Sequence, residues 1–213
     1  MTTLEMKKIL LNYLDEQENG FWSNEELLGA LNEGEQLMVS MLHARIEGGE
    51  QQLSQYLEKL LLSEEFVLAQ GVQNVVLPAT LAKLERVRYT PAVAFYPYVH
   101  CYRRTPGTVT GFGSENHYFR SNLDALSFYY TIAGNTLILD EEIAPLTQGG
   151  RLILHYYKKL TPFTFGGETT LSTFFHTPMI YFALSVLLQK EERSTEAEQY
   201  FNRSMIVFNA IIQ

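Results

Sequence analysis

The sequence predicts an α+β fold in which a helical bundle built from both chain ends carries a central antiparallel β insertion with long loops. Three observations predict it. Both ends of the 213-residue chain hold apolar residues at helical spacing behind capping signals. From Val72 the texture changes to short β-prone runs punctuated by Gly, Pro and Asn. With 46% hydrophobic and 19% charged residues the chain can build a sizeable core, and its single cysteine, Cys101, excludes an internal disulfide framework. On this reading residues 1–71 and 166–213 form a helical body, 72–165 a β-rich insertion, and the whole is one core-forming chain.

The first helix is signalled by Thr2 followed three residues later by Glu5, the spacing of a capping box. Met6, Ile9, Leu10, Tyr13 and Leu14 line one stripe, and Gly20 is the expected stop. A second start is written in Phe21-Trp22-Ser23-Asn24-Glu25-Glu26, where the Ser23 hydroxyl reaches the Glu26 amide and the Glu26 carboxylate reaches back. Leu27, Leu28, Leu31, Met38, Leu42 and Ile46 continue that helix to a break at Gly48-Gly49. Leu53, Tyr56, Leu57, Leu60 and Leu61 then repeat at the spacing of a third amphipathic helix, so three helices fill about the first 63 residues.

In the centre, Leu77-Pro78 opens the β part. Strands are expected at Leu84 to Tyr89, Phe128 to Ala133, Thr136 to Leu139 and Arg151 to Tyr157. Gly134-Asn135 is a two-residue hairpin turn between the second and third, and the fourth completes an antiparallel meander. Pro91 to Asn122, rich in Tyr, Pro, Gly and Arg, reads as a long loop; loops of that length are usually functional, which makes it the expected contact element. The chain returns to helix from Leu171 to about Lys190, apolar nearly all round, through a charged connection Lys190-Glu191-Glu192-Arg193-Ser194. Thr195 and Glu198 suggest another capping box ahead of the stripe Ala197, Tyr200, Phe201, Ser204, Met205, Phe208, Ile211 and Ile212. These two helices form a hairpin that packs on the N-terminal ones.

A formal net charge of −8 argues against sequence-specific DNA binding, which calls for a basic face that releases counterions. It is compatible with DNA passing nearby, because an acidic wall repels the duplex. Leu171 to Gln189 lacks charge, but it contains His176 and Pro178, and its dense apolar part, Met179 to Leu188, is roughly half the length that spans a bilayer. A buried core helix is expected there, and no membrane partner. Met1-Thr2-Thr3-Leu4-Glu5 lacks the basic and apolar segments of a secretory signal, so a reducing cytoplasm is the expected setting.

The search for chemistry yields no catalytic, cofactor-binding or metal-binding residue. His43, His100, His117, His155 and His176 have no second ligand at zinc-site spacing and read as structural or surface histidines. His100 and Cys101 are adjacent, so in a strand they point to opposite faces and cannot act as base and nucleophile. Gly111-Phe112-Gly113-Ser114 lacks the Lys-Ser/Thr of a phosphate loop and reads as a loop tip. Asp140-Glu141-Glu142 lacks calcium-loop spacing and reads as a solvated acidic turn. The doublets Arg103-Arg104 and Lys158-Lys159, with Tyr102 and Tyr157 beside them, are candidates for contact with a partner or nucleic acid, against plain solvation.

The order of these features resembles the head-to-tail adaptor (connector) proteins of tailed bacteriophages. The resemblance is carried by Phe21-Trp22-Ser23-Asn24-Glu25-Glu26-Leu27-Leu28 with Leu31-Asn32-Glu33, and by Leu77-Pro78-Ala79-Thr80-Leu81 with Val87 and Tyr89. Its third part is Leu152-Ile153-Leu154-His155-Tyr156-Tyr157-Lys158-Lys159-Leu160-Thr161-Pro162, then a helix opening near Thr170 and Tyr181-Phe182-Ala183-Leu184. The resemblance implies a virion structural protein without turnover or cofactor. It implies a dodecameric ring docked under the portal protein, in the virion neck after assembly in the host cytoplasm. Such a ring extends the channel for viral DNA, without sequence-specific binding, and gives tail components (nozzle or tail tube) a platform. Two other readings remain open on the residues alone. One is a helical interaction module of the host cell; the other is a small enzyme or ligand-binding protein with the Tyr89 to Tyr102 region as a pocket wall.

Overall fold

The computed structural model describes residues 1–15, 21–91, 99–103, 128–139 and 149–213. They belong to two compact units, one made of Met1–Leu60 and Leu160–Gln213, the other of Leu61–Lys159. The sequence reading drew the corresponding lines at 71/72 and 165/166. The architecture is mixed α+β, with the helices in the first unit and the strands in the second.

In the helical unit, α1 (Thr3–Tyr13) carries the expected Thr2/Glu5 capping box, with the Glu5 amide donating to Thr2 Oγ1 at 3.2 Å and the Thr2 amide to Glu5 Oε2 at 2.7 Å. The helix ends earlier than Gly20, which lies outside the described residues: Asp15 takes a left-handed φ of 59°, a conformation a short acidic side chain tolerates after a helix C-terminus. The next helix, α2 (Asn24–Glu47), starts at the Ser23/Glu26 box and buries Leu27, Ala30, Leu31, Met38, Val39, Leu42 and Ile46. The third helical segment, Gln51–Leu60, is a 3₁₀ helix rather than an α-helix. Leu53, Leu57 and Leu60 are its buried residues, and Leu61 already belongs to a strand. The apolar run near residue 180 forms a single 3₁₀ turn at Thr173–Phe175 and then α3 (His176–Lys190). The α-helix begins at His176 instead of Leu171 because Pro178 has no amide to donate and so belongs in a first turn. Met179, Ile180, Ala183, Leu184, Leu187 and Leu188 are all buried. At Gly34, α2 approaches α3 so closely that a β-carbon would sit 3.0 Å from the Met179 carbonyl oxygen. The last helix, α4 (Ser194–Ile211), forms without the Thr195/Glu198 box: its N-cap is Arg193, two residues earlier, and the Arg193 guanidinium holds its first turn through Glu196 at 2.6 Å.

Seven strands are described in the second unit: β1 (Leu61–Leu68), β2 (Asn74–Val76), β3 (Leu81–Pro91), β4 (Val99–Arg103), β5 (Phe128–Ala133), β6 (Thr136–Leu139) and β7 (Gly150–Lys158). They form one sheet in the order β1-β7-β3-β4-β5-β6-β2. The β5–β6 hairpin turns at Gly134-Asn135 as expected, with Gly134 at φ 61° and Ala133 paired to Thr136. Two expectations are corrected. The sheet is not wholly antiparallel, because β4 and β5 run parallel. The fourth predicted strand does not extend the meander: β7 is antiparallel to both β1 and β3, so it lies inside the sheet. Leu68, Val87, Tyr89, Cys101, Leu139, Leu152, Leu154 and Tyr156 build the core on one face.

The entry to β7 is fixed by two glycines. Gly149 has φ 67°, and a β-carbon there would lie 2.6 Å from the Leu68 carbonyl oxygen of β1. At Gly150 it would lie 2.5 Å from the Thr90 carbonyl oxygen and 2.7 Å from the Tyr89 ring. The buried Tyr89 hydroxyl donates to the Gly149 carbonyl at 2.6 Å. Tyr89→Phe, which strands that carbonyl, should lower stability by about 1 kcal/mol. Gly150→Ala forces strand β7 away from β3 and should cost about 3 kcal/mol. Urea denaturation of both variants checks the order; equal midpoints would contradict the close packing at this corner.

Candidate functional site

Where polar side chains are buried in the helical unit, they hold backbone rather than a substrate. Asn32 and Glu35 lie one turn apart on α2, so they share a face. The Asn32 amide nitrogen donates to the Phe163 carbonyl at 3.2 Å, while its oxygen accepts from the Phe163 amide at 2.9 Å. Glu35 Oε1 accepts from the Thr170 amide at 2.6 Å and the Leu171 amide at 2.9 Å. Thr3, in the first turn of α1, accepts from the Gly166 amide at 2.8 Å and donates to the Gly167 carbonyl at 3.1 Å. Three side chains from the first 35 residues thus hold the irregular return segment 163–171. Where an irregular segment is partly buried, as this one is at Phe163, Thr169 and Leu171, its amides and carbonyls need such partners. The sequence reading passed over Asn32 and Glu35 as sites; a carboxylate on the apolar side of a capped helix was the available signal.

His176 completes this region from α3, its Nε2 lying 2.8 Å from Thr169 Oγ1. Burial pushes its pKa below the ordinary histidine range, the N-terminal ammonium and Lys59 push the same way, and the Met1 carbonyl opposes them. Burial raises the Glu35 pKa against the pull of the two amides it accepts from and of Lys59. Their hydrogen bonds go to the Thr169 hydroxyl and to backbone amides rather than to a second titratable side chain.

The other residues singled out in the sequence are dispersed. His43 is half-buried on α2, and His155 is half-buried on β7 with its pKa lowered by burial and by Arg88 and Arg86. His100 and Cys101 are consecutive in β4, and Cys101 faces the sheet core. Burial pushes its thiol up to about 12, so it carries no thiolate at neutral pH. Lys158 ends β7, and Lys159 donates to the Ala79 carbonyl at 3.0 Å. Tyr157 is buried, which removes it as a contact residue, and Tyr89 is core filling with its hydroxyl engaged by Gly149, which removes it as a pocket wall. The stretch read as a loop from Pro91 to Asn122 contains strand β4, whose Val99 pairs with Tyr89. His117, Arg104, Gly111 to Ser114 and Asp140 to Glu142 lie outside the described residues. Among the described residues no three His, Cys, Asp or Glu side chains are grouped to hold a metal ion. None of the helices described is long and apolar enough to cross a membrane.

A geometry that spends its buried polar groups on backbone fits a protein of assembly. The family model for the SU10 adaptor protein matches residues 1–209. The chain belongs to this family of phage head-to-tail adaptors. No curated protein matches it. The family match spans both compact units, so the β insertion is part of the adaptor architecture rather than an unrelated module.

Two measurements follow from the buried groups. A histidine whose folded pKa is depressed contributes stability that is complete above the unfolded value near 6.5 and is lost as pH falls through the folded value. The melting temperature should therefore drop on acidification below about pH 6.5, and His176→Gln should flatten that drop. Glu35 has the opposite sign: with its folded pKa raised, its contribution is complete below the unfolded value and lost as pH rises through the folded one, a slope that Glu35→Gln removes. An unchanged pH profile in both variants would remove this assignment. Cys101 should resist a thiol reagent in the native protein and react fully in urea; rapid native labelling would show that the β core is open.

Proposed function

We infer that this adaptor works without turnover, as a dodecameric ring that docks under the portal protein, extends the DNA channel and gives tail components their platform. The observation that carries the reading is the family match over residues 1–209. In this reading the ring sits in the virion neck after assembly in the host cytoplasm. The acidic balance of −8 supports a channel wall along which DNA slides instead of binding. The hydrogen bonds from Thr3, Asn32 and Glu35 to the return segment support a helical unit that keeps its shape when loaded by neighbours in a ring. No residue is assigned to catalysis, a cofactor or a metal, and the tail-side partner is a nozzle or tail-tube protein.

Electron microscopy of the purified protein, alone and co-expressed with its portal protein, tests this. Twelve-fold rings with an open channel, free or stacked on the portal ring, are the expected result. Particles that stay monomeric in both samples would overturn the ring and the portal docking together.

A further inference from the structure

The seven-stranded sheet of the β unit has two ends, β1 at one and β2 at the other. Among the described residues no further strand pairs with either, so the outer side of each offers backbone donors and acceptors to another strand. On β2 these groups can be named. In the register that sets Asn74 opposite Ile138, Gln73 falls opposite Leu139 and Leu77 opposite Asn135. The Leu139 amide donates to the Gln73 carbonyl at 2.9 Å and the Leu77 amide to the Asn135 carbonyl at 2.7 Å, so Gln73, Val75 and Leu77 turn their backbone groups toward β6. Asn74 and Val76 alternate with them and direct their amides and carbonyls out of the sheet. Both residues are exposed, Val76 by 65%.

The edge at β1 is longer. Its eight residues pair with β7 without a register shift, whereas β3 pairs with β7 through two. The strand holds no proline, lysine or glycine, and Leu61, Leu62 and Val67 leave apolar surface uncovered on both of its faces. Its two charges are drawn sideways to β7: the Tyr156 hydroxyl donates to Glu64 Oε2 at 3.1 Å, and Arg151 lies 3.3 Å from the Glu65 carboxylate. Neither carboxylate is thus held across the open edge. A long, straight edge without these safeguards is a template for strand addition.

The strand directions select the occupant. Of the six neighbouring pairs in the sheet five are antiparallel and one, β4 with β5, is parallel. The two end strands, β1 and β2, therefore run in opposite directions. When copies of such a sheet repeat side by side about an axis along the strands, the same face inward, β1 of one copy meets β2 of the next antiparallel. We propose that the β1 edge of one copy pairs in this way with the β2 edge of the next, through the outward amides and carbonyls of Asn74 and Val76. The inference rests on the self-association in the ring reading and specifies which surfaces meet. Pairing of β1 with β1 of a second copy is disfavoured, because it sets Glu64 and Glu65 against the same two carboxylates, whereas residues 66–82, which include β2, carry no charge. The contact is heterologous: every copy supplies one edge of each kind, and both are filled when the ring closes. Three residues of β2 make few hydrogen bonds, so one contact is weak and the closed ring, or the portal that templates it, sustains the set.

Val76→Pro in the full-length protein, with and without the portal protein, tests the pairing. Proline is tolerated on an edge strand where its nitrogen faces outward, so the β2–β6 ladder survives, which circular dichroism and the melting temperature of the dissociated chain check. Loss of the outward amide should raise the concentration at which rings form by about tenfold or more. Val76→Thr, which keeps that amide, should assemble as the wild type does. Asn74→Asp should weaken assembly and Asn74→Lys should not, because β1 brings Glu64 and Glu65 to the contact. Disulfide trapping reads the contact whatever the fate of the proline variant. Val75 faces the sheet core, so Val76 shares the opposite face with Leu61, Ser63, Glu65 and Val67. Val76→Cys mixed in turn with Leu61→Cys, Ser63→Cys, Glu65→Cys and Val67→Cys should cross-link in at least one mixture. Proline-variant rings at the wild-type concentration, or no cross-link in any mixture, would overturn the pairing and leave the ring reading standing. Cross-linking of Ser63→Cys with itself would assign β1 to a twofold contact and overturn the proposal. A wild-type protein that never assembles, alone or with the portal, would overturn both.

Discussion

The helical unit depends on the capture of one stretch of backbone by three side chains. Its two parts are separated by 99 residues of β unit, from Leu61 to Lys159, so no short loop brings them together. Beside the apolar packing of α3 on α2, they are tied by Thr3, Asn32 and Glu35, which take up amides and carbonyls of residues 163–171. Without them the buried part of this segment, the Leu171 amide above all, would be left unpaired, at a cost of about 1–3 kcal/mol. With them α3 is delivered in register against α1, α2 and α4, and its apolar surface is covered on several sides. Glu35 shows the tension in this solution: a carboxylate is an effective double acceptor, yet burial disfavours its charge, which is why its pKa moves upward despite two amide donors.

Much of the helical unit was legible in the sequence because capping boxes are local. Thr2 with Glu5 and Ser23 with Glu26 set helix starts within four residues, and the structure forms both. Gly134-Asn135 is equally local, and it makes its hairpin. What was not legible depends on distant partners. The run Leu61–Leu68 was hidden because Glu64 and Glu65 interrupt its alternation; it is a strand because β7 pairs with it. The parallel pairing of β4 with β5 joins segments with more than twenty residues between them, which no turn signal announces. The Thr195/Glu198 spacing is a genuine capping signal that lost to Arg193, whose bonds to Glu191 and Glu196 organise the helix start two residues earlier.

Groupings across strands were harder to see than the elements. Arg86 and Arg88 belong to one strand and alternate with core residues, but Arg151 joins them only through the β3–β7 register, which sits more than sixty residues away in sequence. Composition had counted the charges correctly and given a single acidic total; folding sorts that total into an acidic helical unit and a nearly neutral β unit. For a protein of an adaptor family this sorting matters more than any individual pKa, since surfaces rather than a pocket have to be recognised.

The first and last strands of the β unit along the chain are β1 and β7, and they are hydrogen-bonded neighbours with Leu61 opposite Tyr157. The chain therefore enters and leaves this unit at points about 5 Å apart, the separation of paired strands. A piece of protein whose two ends meet can be removed and its gap closed by a few residues, or be lifted into another host, without rethreading either part. The β unit is in this sense topologically separable: its removal would leave two ends of the helical unit that a short link can join.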